Sequence, residues 1–289
     1  MMIIWRKVLG MDSKVRRIPT GVADFDSIIK GGMPIGSTVL LLGELGAGQV
    51  EFAYTSAAKL ALVKENPQSA SYFLGHDASD QFMPEKICYV TFSRSREDIL
   101  QEIKVSFNAD FYEAFERNVI FKDFSSMYFK KTVVPKSWGG EASSIFAGYG
   151  EENLLEALIN FMDENAPDSL LIIDSITDLA VSANIDTVDL VAVLRGMQRV
   201  AKKWNGIVYL ILTRDILDER KQLMVMDSVD GALVFEWSKF AQTSRRQRYL
   251  YVEKFMSILP HLDKERIARF ATVVTAESGL VVIDTERVG

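Results

Sequence analysis

Cysteine is almost absent from this chain: Cys88 is the one example in 289 residues. A single thiol closes no internal disulfide, so a disulfide-stapled scaffold is excluded and a reducing, cytoplasmic setting is the expectation. Long hydrophobic runs are missing too, and nothing approaches the roughly 18 consecutive apolar residues of a membrane span. The apolar stretch within residues 1–9 is too short for a leader, and its charges follow rather than precede it. Basic residues are not in excess: 33 Lys and Arg face 39 Asp and Glu, a net charge of -6. That balance disfavours nucleic acid as a partner of the chain as a whole. Histidine is scarce, with two in all. His76 lies near Asp77 and Asp80 in a polar stretch that reads as solvated rather than as a metal set, and His261 has no acidic or nucleophilic neighbour in sequence.

What is plentiful is the material of a globular core, at 48% hydrophobic and 25% charged residues. Residues 37–42, 87–92, 119–121, 170–174 and 207–212 read as short buried strands, with Cys88 as a small core residue in the second. Helical periodicity covers 51–63, 97–107 and 151–165. A further helix opens at Asp186 as its cap, with Val188, Val191, Leu194, Met197, Ala201 and Trp204 as its apolar stripe and Asn205-Gly206 as its stop. This alternation predicts an α/β fold with a mostly parallel central sheet and helices on both faces. Residues 232–237, 248–256, 269–276 and 280–284 read as an antiparallel C-terminal extension. Residues 1–16 are expected to be an N-terminal extension to a single domain over 17–289. That domain carries irregular insertions near 64–86 and 125–149, and Trp138 in the second is a candidate surface anchor.

The segment Gly43-Glu44-Leu45-Gly46-Ala47-Gly48-Gln49-Val50 joins the first buried strand to the helix after it. A strand, a glycine-rich turn and a helix N-terminus make a phosphate loop, because backbone N–H groups then surround an anion. The full pattern G-x-x-x-x-G-K-[S/T] adds a lysine for the phosphate oxygens and a hydroxyl for magnesium. Here Gln49 stands at the lysine position and Val50 at the hydroxyl position. Glutamine keeps reach without charge, and valine keeps the shape of threonine without its oxygen.

Upstream, Ile18-Pro19-Thr20-Gly21-Val22-Ala23-Asp24-Phe25-Asp26 is followed by Gly31-Gly32-Met33-Pro34-Ile35-Gly36-Ser37. This lead-in resembles that of the KaiC-like branch of the RecA-type ATPases, and the likeness extends over residues 17–285. Leu170-Leu171-Ile172-Ile173-Asp174-Ser175 is similar to that family's Walker B strand, and Thr213 falls where such proteins place a polar sensor. The resemblance implies a RecA-like P-loop fold with a nucleotide site at Gly43, Glu44, Leu45, Gly46, Ala47, Gly48, Gln49, Val50 and Asp174. It also implies a homo-oligomer or a partner of RecA or KaiC type.

The family's chemistry is interrupted at three places. The first is the loop itself. At the second, where the family carries a glutamate pair to orient water, the chain has Ser93 and Arg94; serine is a poor base and arginine accepts no proton. At the third, a Lys-x-Arg pair of the family is replaced by Lys254-Phe255-Met256. Losing one charge-stabilising donor costs about 10²–10³ in rate, so the loss of three kinds together is expected to leave hydrolysis near background, with no catalytic residue assigned. Glu44 and Glu51 further weaken an anion site, leaving ATP with magnesium as at most a weak ligand. The functional expectation is a non-hydrolysing regulatory or scaffolding protein in signalling or assembly. Two alternatives stand beside it: an atypical ATPase in which Lys254 or another lysine serves, and a DNA-repair accessory protein using Arg245, Arg246 and Arg248.

Overall fold

The computed structural model describes residues 16–75, 81–130, 132–135, 153–182, 185–238, 246–262 and 269–283. His76, Asp77, Asp80, Trp138, Arg245 and the His261 side chain lie outside that description. The apolar strand at 37–42 becomes β3 (Ser37–Gly43), buried along its whole length, in the middle of a nine-stranded sheet. On one side it pairs in parallel with β7 (Ile207–Thr213), beyond which come β6 (Ser169–Asp174), β4 (Lys86–Thr91) and β5 (Val119–Asp123), all parallel. On the other side lie β8 (Gly231–Trp237), β9 (Arg248–Phe255), β10 (Phe270–Thr275) and β11 (Gly279–Ile283).

The antiparallel extension begins one strand later than the sequence implies. β8 runs parallel to β3 and antiparallel only to β9. A helix at Glu219–Asp227 lies between β7 and β8, and this crossover makes the parallel return possible.

Helices cover both faces. One face carries α1 (Ala23–Ile28), α2 (Gln49–Glu65), α4 (Arg96–Ser106) and α5 (Ala109–Asn118), packed through Phe25, Phe52, Ile103 and Phe115 onto Leu41, Tyr89 and Tyr209. The other carries α7 (Leu154–Asn165), α8 (Ile176–Val181), α9 (Thr187–Trp204) and α10 (Glu219–Asp227), which pack onto Leu42, Val90, Ile173 and Leu212. Both irregular segments contain short helices, α3 (Ala70–Phe73) and α6 (Ser125–Phe129). Caps mark the boundaries: Asp186 accepts from Val188 N at 3.3 Å, and Ser95 with Asp98 forms a reciprocal box that opens α4. Each such cap is worth about 1 kcal/mol.

The lead-in is a backbone clasp. The buried Asp26 carboxylate accepts from Thr20 N at 2.8 and 3.0 Å and from Gly21 N at 3.1 Å. The Ser56 hydroxyl on α2 donates to Thr20 O at 2.5 Å. Short strands β1 (Arg17–Ile18) and β2 (Met33–Pro34) then pair side by side, with Ile18 opposite Met33.

Burial pushes the Asp26 carboxyl up to about 7, against the opposing pull of the Thr20 and Gly21 N–H groups and of Lys59. Burial likewise lowers Lys59 to about 8, opposed by Asp26. The folded chain therefore holds the Asp26 proton more tightly than the unfolded chain. Its contribution to stability is complete at low pH and is lost as pH rises from its ordinary 3.8 towards about 7. Lys59 acts higher, where stability is regained between about pH 8 and 10.5. The melting temperature is expected to fall between about pH 5 and pH 7, and an Asp26→Asn variant to flatten that slope. A slope unchanged in the variant would remove Asp26 as its source.

Candidate functional site

The glycine loop hangs at the carboxyl end of β3. There the helices leave the sheet on opposite faces, α2 on one and, after the neighbouring β7, α10 on the other. Crevices in open α/β sheets form at such a switch point. Glu44 N donates to Phe235 O and Ala47 N to Glu44 O, each at 3.0 Å, while Arg214 N donates to Gly43 O at 2.8 Å. Gly48 is the N-cap of α2 at φ +118°, where a Cβ would meet Leu280 Cδ1 at 2.9 Å. The cap position supplies no side-chain hydrogen bond to the first turn of α2.

The loop side chains are not spread around a hollow. The Glu44 carboxylate accepts from Trp237 N at 3.1 Å and lies 4.0 Å from the Arg214 guanidinium. Trp237 Nε1 donates to Leu45 O at 3.0 Å and Arg248 Nε to Gly46 O at 2.9 Å, with the Arg248 guanidinium 4.6 Å over the Trp237 ring. Gln49 is 5% exposed and folds back across the first glycine of the loop. A Cβ built on Gly43 would lie 2.2 Å from both Cδ and Oε1 of Gln49. That Oε1 is buried without a hydrogen-bond partner. Val50 packs against the hydrophobic core on the α2 face.

Two strands from β3, Asp174 ends β6 and begins a cis peptide bond to Ser175. Its Oδ2 accepts from the Tyr89 hydroxyl at 2.5 Å. Burial pushes the Asp174 carboxyl up to about 6, opposed by the Tyr89 hydrogen bond and by Arg94. The polar chain continues on α2, where Tyr54 lies 5.9 Å from Tyr89 between ring centroids and donates to Glu102 at 3.2 Å. Arg94 donates to Tyr54 Oη at 3.3 Å and closes the chain with a direct ion pair to Glu102.

Of the residues singled out beside the loop, Ser93 donates to Asp178 Oδ2 at 3.1 Å, and Ser175 donates to the same oxygen at 3.0 Å. Thr213 N donates to Thr177 Oγ1 at 2.8 Å. Lys254 is nowhere near the loop. Antiparallel pairing sets Arg248 opposite Trp237 at the loop end of β9 and Phe255 opposite Gly231 at the far end. The Lys254 ammonium there donates to the carbonyls of Met226, Asp227 and Val229 at 3.0, 3.0 and 2.7 Å, capping the C-terminus of α10. Within this chain, therefore, the Lys254 charge serves the α10 carbonyls and does not stand in for the loop lysine.

Sequence reasoning missed Tyr54, Tyr89, Glu102, Arg214, Trp237 and Glu236. Glu236 is buried in β8 between Arg214, at 3.4 Å, and Arg269, at 3.0 Å. Tyrosine and tryptophan in apolar strands look like core in a sequence, and only the fold shows which hydroxyl or indole N–H meets the loop or Asp174.

A glycine loop on the central strand and an aspartate two strands away on a largely parallel sheet make a RecA-like P-loop fold. Within that class its fold is KaiC-like. Over 108 residues, 37% of this chain, it is 32% identical to the circadian clock oscillator protein KaiC of Prochlorococcus marinus (strain MIT 9313), matching 18% of that protein. Over 207 residues, 71% of this chain, it is 27% identical to KaiC of Parasynechococcus marenigrum (strain WH8102), matching 33% of it. The chain thus spans at most a third of the curated relatives it matches. Among solved structures it resembles the KaiC-like protein PH0186 of Pyrococcus horikoshii OT3, with TM-score 0.61 and 19% identity, covering 93% of this chain and 100% of that one. It resembles the flagellar accessory protein FlaH of Methanocaldococcus jannaschii equally, with TM-score 0.61 and 14% identity over 94% of this chain and 100% of that one. No family model matches the chain. Among the described residues, no helix is long and apolar enough to cross a membrane.

Proposed function

We propose that this chain is a non-hydrolysing, KaiC-like regulatory or scaffolding protein, acting through contacts with copies of itself or with a protein partner in signalling or assembly. The observation that carries this reading is the 2.5 Å hydrogen bond from Tyr89 to Asp174, the aspartate at the metal-holding position. With one oxygen taken by a tyrosine, Asp174 has only its other oxygen left for a magnesium-bound water.

The donor set elsewhere agrees. Val50 offers no oxygen to a metal and faces the core, Gln49 offers no charge, and Ser93 and Arg94 are engaged with Asp178 and with Tyr54 and Glu102. These residues do not suit a magnesium-bound triphosphate. The curated relatives are described as clock oscillator proteins and one structural neighbour as a flagellar accessory protein, which accords with a regulatory or assembly role.

The test is phosphate release from ATP with magnesium by the purified wild-type chain, beside an Asp174→Ala control. Release equal in the two samples is the expected result. Turnover in the wild type that the control lacks would end the non-hydrolysing reading.

A further inference from the structure

We propose that Gln49 is an internal plug, an autoinhibitory contact that holds the glycine loop shut against phosphate groups. The inference rests on the reading of residues 43–50 as a phosphate loop that has lost its hydrolytic chemistry. Three observations carry it. The Gln49 amide lies within 2.2 Å of the Cβ position of Gly43, so the side chain fills the inner side of the loop rather than reaching out of it. It is 5% exposed, so this is a packed position rather than a surface rotamer. Its Oε1 has no hydrogen-bond partner there. A buried acceptor left unpaired is costly in itself, so the amide is held there by its packing in the loop, against that cost, and not by a hydrogen bond to Oε1.

The frame around the plug is anchored from outside. Trp237 ties the Leu45 carbonyl and the Glu44 carboxylate, and Arg248 ties the Gly46 carbonyl, so three consecutive loop residues are fixed by the facing ends of β8 and β9. The first turn of α2 receives no side-chain cap from Gly48. Removing the Gln49 side chain thus vacates space inside a loop of set shape at the N-terminus of α2, and a helix N-terminus behind a glycine-rich turn favours an anion. Plug and anchor act in opposite senses: Gln49 excludes the ligand, while Trp237 and Arg248 preserve the frame that would receive it.

The experiment is a calorimetric titration of inorganic pyrophosphate, without metal, into the wild type, Gln49→Ala and the double variant Gln49→Ala with Arg248→Ala. Cooperative melting is checked for each protein. Gln49→Ala is expected to bind at least about tenfold more tightly than the wild type, since a steric block is removed and the backbone donors are kept. The double variant is expected to lose that gain. Gln49→Ser, which also vacates the loop, carries the test if the alanine protein does not melt cooperatively. Equal affinity in wild type and single variant, whether both bind or neither does, overturns the plug. A gain that survives loss of Arg248 overturns the anchoring role. Either failure leaves the non-hydrolysing reading untouched, because that is judged by phosphate release from the wild type.

Discussion

Gly32→Ala is expected to lower the unfolding free energy by about 3 kcal/mol or more, through backbone contact and backbone strain together. Gly32 sits at φ +112°, a region closed to alanine without strain. A Cβ there would lie 2.2 Å from Ile18 O, 2.7 Å from Ile18 C and 2.7 Å from Pro19 Cα. All three are main-chain atoms, so no side chain can swing away. Relief requires β1 and β2 to separate, which pulls on the Thr20 and Gly21 N–H groups that Asp26 holds. Gly196 in α9 is the matched control, since a Cβ there meets nothing within 4 Å. Gly196→Ala in a helix interior is expected to stabilise by up to about 1 kcal/mol. Denaturant unfolding of both variants beside the wild type reads the two effects. A Gly32→Ala protein within about 1 kcal/mol of the wild type would contradict the account of the clasp.

The lead-in and the central strands were legible in the sequence because local chemistry sets them. The run from Leu170 to Asp174 has one use in a folded chain, as a strand buried on both faces, and Asp186 caps α9 as its position implies. Gly32 likewise has a local cause. The missed elements depend on something farther off. In α5, Phe111, Ala114 and Phe115 make an apolar stripe, but it starts within three residues of the end of α4 with no glycine or proline between, so the boundary was hidden. In α10 only Val225 is buried, and the helix shows little amphipathic pattern. Missing it also hid the direction of β8, since the direction of a strand depends on the connection before it. At the site, the glycines and Asp174 could be found by spacing. The Tyr89 hydroxyl on Asp174 and the hold of Trp237 and Arg248 on the loop join residues 85 to 202 positions apart, and no spacing rule reaches that far.

Writing the loop back to its hydrolytic form, Gln49→Lys with Val50→Thr, is expected to restore affinity for ATP but not its turnover. The lysine removes the amide packed on Gly43 and supplies a charge, and a hydrogen bond to a charged group is worth about 1.5–3 kcal/mol. That corresponds to a roughly 10- to 100-fold gain in affinity. Turnover depends on groups these two substitutions leave alone. Tyr89 still holds Asp174 Oδ2 at 2.5 Å, Ser93 still donates to Asp178, and Arg94 remains bound between Tyr54 and Glu102 with no capacity to take a proton from water. Phosphoryl transfer draws its rate from positioning and charge stabilisation. A loop that binds in front of a centre without a base therefore holds its nucleotide unreacted. Titration with ATP should show the gain, while phosphate release stays at the level of the same double variant carrying Asp174→Ala. Release above that level would locate the whole defect in Gln49 and Val50, and the Tyr89, Ser93 and Arg94 contacts would have no part in silencing the site.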